Sequence, residues 1–209
     1  MKAFRTLLLL ASALPMLAEP RLLLSKTFPG SRPAYAELRI SSDGNVEYRE
    51  AVDEEPLRLK LSEDETKTVF ELARKCDKFR KPLESGLKVA RLGEKLFRWE
   101  DGAERHEVKF NYTLDESASA LLDWYERISE SELLLINLER AAKFDPLGVN
   151  QAILEIEASW DNKRLVSVSQ YLPMLDRVHK NEKYLNMARE RAAKLADLFR
   201  AAAAPKAAQ

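Results

Sequence analysis

Cysteine and histidine are nearly missing from this chain, which has one Cys and two His in 209 residues. A single thiol, Cys76, excludes an intramolecular disulfide. With no His-x-x-x-His or Cys-x-x-Cys spacing, neither a metal site nor a cofactor is expected. Glycine is scarce at six residues, and the glycine-dependent signatures are absent: no Gly-x-Ser-x-Gly elbow, no Gly-x-Gly-x-x-Gly, and no Gly-x-x-x-x-Gly-Lys-Ser/Thr phosphate cradle. Net charge is missing too, because 34 Lys and Arg balance 34 Asp and Glu. That argues against nucleic acid as a partner, since such binding usually shows a basic bias. What is present is a 45% hydrophobic, 33% charged composition that suits a packed, soluble core.

The N-terminus carries a targeting pattern. Lys2 and Arg5 form a short basic region, and an apolar run starts at Leu7 and reaches Ala18. The run is short against the ~20 residues a spanning helix needs, so residues 1–18 read as a cleaved secretory signal peptide and not as an anchor. Cleavage after Ala13 or after Ala18 fits. Losing Lys2 and Arg5 leaves 32 basic and 34 acidic side chains. An exported protein, periplasmic or extracellular, is expected, with no stable membrane span after cleavage. Asn111-Tyr112-Thr113 is a glycosylation sequon, which matters in a eukaryotic secretory pathway.

The best-specified element is a helix over residues 61–79. Ser62 and Glu65 form a capping box, acids fill the first turn, and Arg74, Lys75 and Lys78 gather at the end. Val69, Leu72, Ala73 and Cys76 make one apolar stripe, and Pro82 stops the helix. Around it, alternating stretches predict strands at 34–40, 46–52 and 57–61 before the helix, and 87–92, 96–99 and 106–112 after it. Asp43-Gly44 and Asp101-Gly102 supply hairpin turns. Leu22 to Leu24 form a short strand or a packed arm.

The character changes at Thr113, where Thr113 and Glu116 suggest a second capping box and five of the six glycines already lie behind. Helices are expected over 116–143 (kinked or split near residues 129–131), 149–160, 169–179 and 182–203. Glu132 interrupts the stripe of the first of these, formed by Leu121, Tyr125, Ile128 and Leu135. The expected fold is therefore α+β: an antiparallel sheet of about six strands with one packed helix over residues 19–113, an all-helical part over 114–204, and a disordered tail over 205–209. Within it, residues 145–200 look like paired helices of the HEAT type, an analogy of fold alone.

Candidates for chemistry all have plainer readings. Cys76 lies on a core stripe, His106 shares strand parity with Val108 and Phe110, and His179 sits at a helix end. No carboxylate pair is singled out, so catalytic residues are not expected and the protein is read as a non-enzyme. Arg39, Arg49, Arg58, Lys60, Arg98 and Lys109 point outward from strands with Glu37, Glu47 and Glu107 among them, which reads as a solvated mixed-charge face. The aromatics are the interface candidates: Tyr35 faces out of its strand, Trp99 lies on a strand apolar on both faces, and Trp124 and Trp160 lie off their helix stripes.

Residues 35–128 resemble a group of small exported bacterial domains of unknown function. The carrying stretches are Ile40-Ser41-Ser42-Asp43-Gly44-Asn45-Val46-Glu47-Tyr48, then Leu61-Ser62-Glu63-Asp64-Glu65 opening a helix, Val108-Lys109-Phe110 ending a hairpin, and Leu121-Leu122 in a helix. The resemblance implies a strand-rich domain with one packed helix in a periplasmic or secreted setting, and no catalytic residue. The aspartate such domains often carry after the helix has no counterpart in Leu87-Lys88-Val89-Ala90-Arg91.

The leading expectation is an exported, non-catalytic module that binds a protein through its helices or a sheet edge. The alternative is a small-ligand-binding protein or hydrolase-like enzyme with a pocket between sheet and helices, containing His106 or a carboxylate of shifted pKa. A structural envelope protein is the third.

Overall fold

The computed structural model describes residues 19–204. The signal peptide expected over 1–18 and the tail over 205–209 lie outside the described residues. The chain is α+β, as its patterning predicts: a six-stranded antiparallel sheet followed by helices. The strands are β1 Arg21–Thr27, β2 Tyr35–Ser41, β3 Asn45–Arg49, β4 Leu57–Lys60, β5 Glu94–Asp101 and β6 Glu104–Phe110, in the order β4-β3-β2-β1-β5-β6.

The strand count agrees with the expectation, but two members are exchanged. β1 is no arm; it is an interior strand, paired with β2 on one side and β5 on the other. Leu22 and Leu24 point into the core and Leu23 to the opposite face, yet all three are buried. Flanked by a strand at each edge, and with Leu23 shielded by the long side chains beside it, β1 reads as a continuous apolar run, which hides its alternation. Residues 87–92 form no strand. Leu87 and Val89 share one parity and Ala90 and Leu92 the other, so pairing would give neither face to a core; all but Ala90 are large and exposed.

The helices are α1 Glu63–Lys75, α2 Glu116–Phe144, α3 Val149–Asp161, α4 Leu172–Lys180 and α5 Asn186–Ala203. The Ser62–Glu65 capping box of α1 is formed in both directions. The second expected box is replaced by a single cap: Asp115 accepts the Ala118 N–H at 2.8 Å, while Thr113 Oγ1 accepts the Asp115 N–H at 3.2 Å. The Asp115 cap thus starts α2 at Glu116, two residues after where a Thr113 cap would have started it. The helix shows no break at 129–131; it runs 29 residues, about 44 Å.

Two cores divide the molecule. In the first, α1 and the N-terminal half of α2 cover one face of the sheet, packing Val69, Phe70 and Ala73, with Leu121, Tyr125 and Ile128, over Leu38, Phe97 and Trp99. In the second, the C-terminal half of α2 joins α3, α4 and α5 around Ile153, Tyr171, Leu195 and Phe199. The division of packing thus falls inside α2, not ahead of it.

Candidate interaction surface

With both helices of the first core on one side, the sheet's other face carries no covering element. Its side chains are the alternate positions of every strand. Cross-strand pairing places them in rows: Arg58 is opposite Glu47, Glu47 opposite Arg39, Arg39 opposite Leu23, Leu23 opposite Arg98, and Arg98 opposite Glu107. Alternating charge directly across strands is the favourable arrangement, and long neighbours folded over Leu23 leave it 8% exposed. In the next row Arg21 sits between Ser41 and Glu100.

The electrostatics are uneven along this face. Glu37, buried, receives the Arg39 Nε at 2.8 Å and the Tyr35 hydroxyl at 2.8 Å, with Arg49 Nε 3.8 Å away. Burial, then the bond to Glu37, pushes the Tyr35 phenol up to about 12. Arg98 is held by Glu107 at 2.8 Å and faces Glu100 at 3.5 Å. Arg58 is looser, 3.8 Å from Glu47, and Arg21 forms no ion pair among the described residues. Arg21, Arg39, Arg58 and Arg98 line a depression of about 500 Å³ against Glu47 and Glu100.

The four aromatic candidates are not brought together. Tyr35 lies on this open face, beside Glu37 and Arg39. Trp99 is 1% exposed, wedged edge-on against Phe70 at 5.9 Å, so its indole offers no contact surface. Trp124 is half-buried on α2 with the Arg127 guanidinium 4.4 Å from its ring. Trp160 is half-buried against Phe199 at 5.3 Å in the helical core. The tryptophans serve packing, whereas Arg21 and Leu23, absent from the candidates, lie on the open face. The signal for them was the alternation Arg21, Leu23, Ser25, Thr27, masked by the flanking leucines.

Between sheet and helices there is a separate cleft of about 380 Å³, where Phe28 and Pro33 of the β1–β2 connection face Leu133 and Leu134 of α2. His106 is not part of it; its Nε2 lies 3.3 Å from Glu104 at the sheet's edge. There, Asp77, Lys78 and Phe79 form a left-handed turn, with φ of 52°, 52° and 63°. Lys78 bonds Glu104 at 2.9 Å and Phe79 is locked in the core, which offsets the strain of about 1–2 kcal/mol per residue.

Cys76 is buried, and burial followed by the Asp115 charge pushes its thiol up to about 12. Asn111 is engaged: its Oδ1 accepts the Leu92 N–H at 2.7 Å and its Nδ2, the atom a glycan would join, donates to Ala90 O at 3.0 Å. Among the described residues no group of three or more His, Cys, Asp and Glu is placed to hold a metal, and no helix is long and apolar enough to cross a membrane. No protein-family model matches the chain, and a search of curated proteins gives no match to it.

Proposed function

We propose that the protein is an exported, non-catalytic binding module whose contact surface is the uncovered face of its sheet, and that its partner is a protein. One observation carries this reading: a whole sheet face is left without a covering layer while its charges are ordered in rows around Leu23. Ordered, partly desolvated charges set register and on-rate at an interface more than bulk affinity.

The test uses the full chain, because α2 belongs to both cores. A photo-crosslinking residue replaces Ser41, on the open face, and in a second sample Glu190, at an exposed position of α5. The reading requires a specific adduct from Ser41 that disappears in the Arg39→Glu/Arg58→Glu double variant. Equal capture from both positions, or none from Ser41, removes it.

The cleft supports a second reading, a small apolar ligand held by Phe28, Pro33, Leu133 and Leu134. A thermal-shift screen of apolar compounds would then give stabilisers whose effect is lost in Leu134→Asp.

A further inference from the structure

The spacing of the arginines narrows the partner's chemistry. Arg58, Arg39 and Arg98 belong to one cross-strand row and stand on β4, β2 and β5, each two strands from the next in the order β4-β3-β2-β1-β5. Adjacent strands lie about 4.8 Å apart, so the three guanidinium stems recur roughly every 9.6 Å across the sheet. A polyproline-type chain rises about 3.1 Å per residue with three residues per turn, so every third side chain lies on one face, spaced about 9.3 Å. A β-strand presents one face about every 6.6 Å, so it would miss the middle arginine by about 3 Å.

We infer that, resting on the proposed binding function, this face docks an acidic, extended, proline-rich protein segment with a carboxylate at every third residue. The chain would run across the strands, one turn per two strands. Its carboxylates would meet Arg58, Arg39 and Arg98, and apolar groups between the last two would rest on Leu23. Two of the three arginines have donors to spare. The Arg58 side chain is 76% exposed, and Arg39 spends only Nε on Glu37, which leaves both terminal nitrogens for a bidentate carboxylate. Arg98 is tied to Glu107, and its Nη1 now faces Glu100. Arg21, in the adjoining row, adds positive potential without an internal partner among the described residues. Glu47, between Arg58 and Arg39, disfavours a continuous acidic run and so selects the interrupted pattern.

The experiment is fluorescence anisotropy with the full chain and a labelled fifteen-residue peptide repeating Glu-Pro-Pro. Comparison probes of the same length repeat Glu-Pro or Lys-Pro-Pro, and a third is oligodeoxythymidine. The expected result is binding of the Glu-Pro-Pro repeat about tenfold tighter than the Glu-Pro repeat, weakened by added salt. Arg39→Glu/Arg58→Glu, checked for native circular dichroism, should lose it and gain the Lys-Pro-Pro repeat. The inference is overturned if the two acidic repeats bind alike, if oligodeoxythymidine binds more tightly, if the double variant changes nothing, or if no probe binds. Should the Ser41 adduct persist while the acidic repeat fails, the spacing argument alone is lost. Should both fail, the face is not a binding surface.

Discussion

Glu65 and Ser167 are 102 residues apart in the chain, and the Ser167 N–H donates to Glu65 Oε1 at 3.2 Å. The other carboxylate oxygen, Oε2, accepts the Ser62 N–H at 2.8 Å, so one side chain both caps α1 and ties the helical part to it. Ser167 completes the tie by donating its hydroxyl to Lys60 O at 2.7 Å. Glu65→Ala should cost about 2 kcal/mol, one for the cap and one for the second bond. Glu65→Gln keeps a single acceptor oxygen and should cost about half as much. Urea denaturation of the three proteins checks the order; a Gln variant as weak as the Ala variant would contradict it.

Glu132 sits on α2, where it is 3% exposed between the two cores. Burial, then the nearby Glu139, pushes its carboxyl up to about 7 from an ordinary 4.5. The Tyr48 and Tyr171 phenols are close enough to feel the same charge. From pH 4.5 to about 7 the folded chain keeps a proton that the unfolded chain has released. Stability from this group is therefore complete at low pH and is lost as pH rises through about 7, by about 3 kcal/mol in all. Glu132→Gln should flatten that slope and be more stable than the parent above about pH 8. Urea midpoints measured across the window decide it, and parallel curves for both proteins would refute it.

Gly44 and Gly102 both close Asp-Gly hairpins, with φ of +86° and +57°, but only the first is crowded. A Cβ on Gly44 would stand 2.7 Å from Thr66 Oγ1 and 2.9 Å from Leu61 O, where the hairpin rests on the start of α1. Nothing lies within 4 Å of a Cβ on Gly102. Gly44→Ala should cost about 2–3 kcal/mol, combining strain with overpacking, and Gly102→Ala about 1. Thermal melts should show the larger loss of Tm for Gly44→Ala.

The 84–93 segment hangs on a few polar ties. Asn111 bonds Leu92 and Ala90, Glu84 accepts the Asn111 N–H at 2.6 Å, and the buried Lys95 ammonium donates to Leu92 O at 3.1 Å and Asn111 O at 2.6 Å. Asn111→Ala should loosen the segment and leave the sheet intact. Limited trypsin digestion would then cut faster after Lys88 and Arg91 with little change in Tm.

Much of this fold was legible because its signals are local. The Ser62–Glu65 box, the Asp43-Gly44 turn and the stripe of Leu121, Tyr125 and Ile128 each act within a few residues. What escaped depends on distant contacts. Leu22-Leu23-Leu24 is a strand only because β2 and β5 flank it, and 87–92 is a loop because Asn111 and Lys95 hold it away from pairing. For the candidate surface, Arg39, Arg58 and Arg98 were placed outward by alternation alone. Their common row depends on register across non-consecutive strands, and no short window of sequence encodes that.

A shared helix has a mechanical meaning. Each half of α2 supplies one wall of a different core, with Leu121 and Ile128 in the core against the sheet and Leu138 and Ala142 in the core among the helices. Neither core can dissolve without fraying the rod that scaffolds the other, so the chain has no seam at which one half could be released intact. A cut within α2 would bare two oily surfaces at once, which favours a molecule that is either whole or cleared.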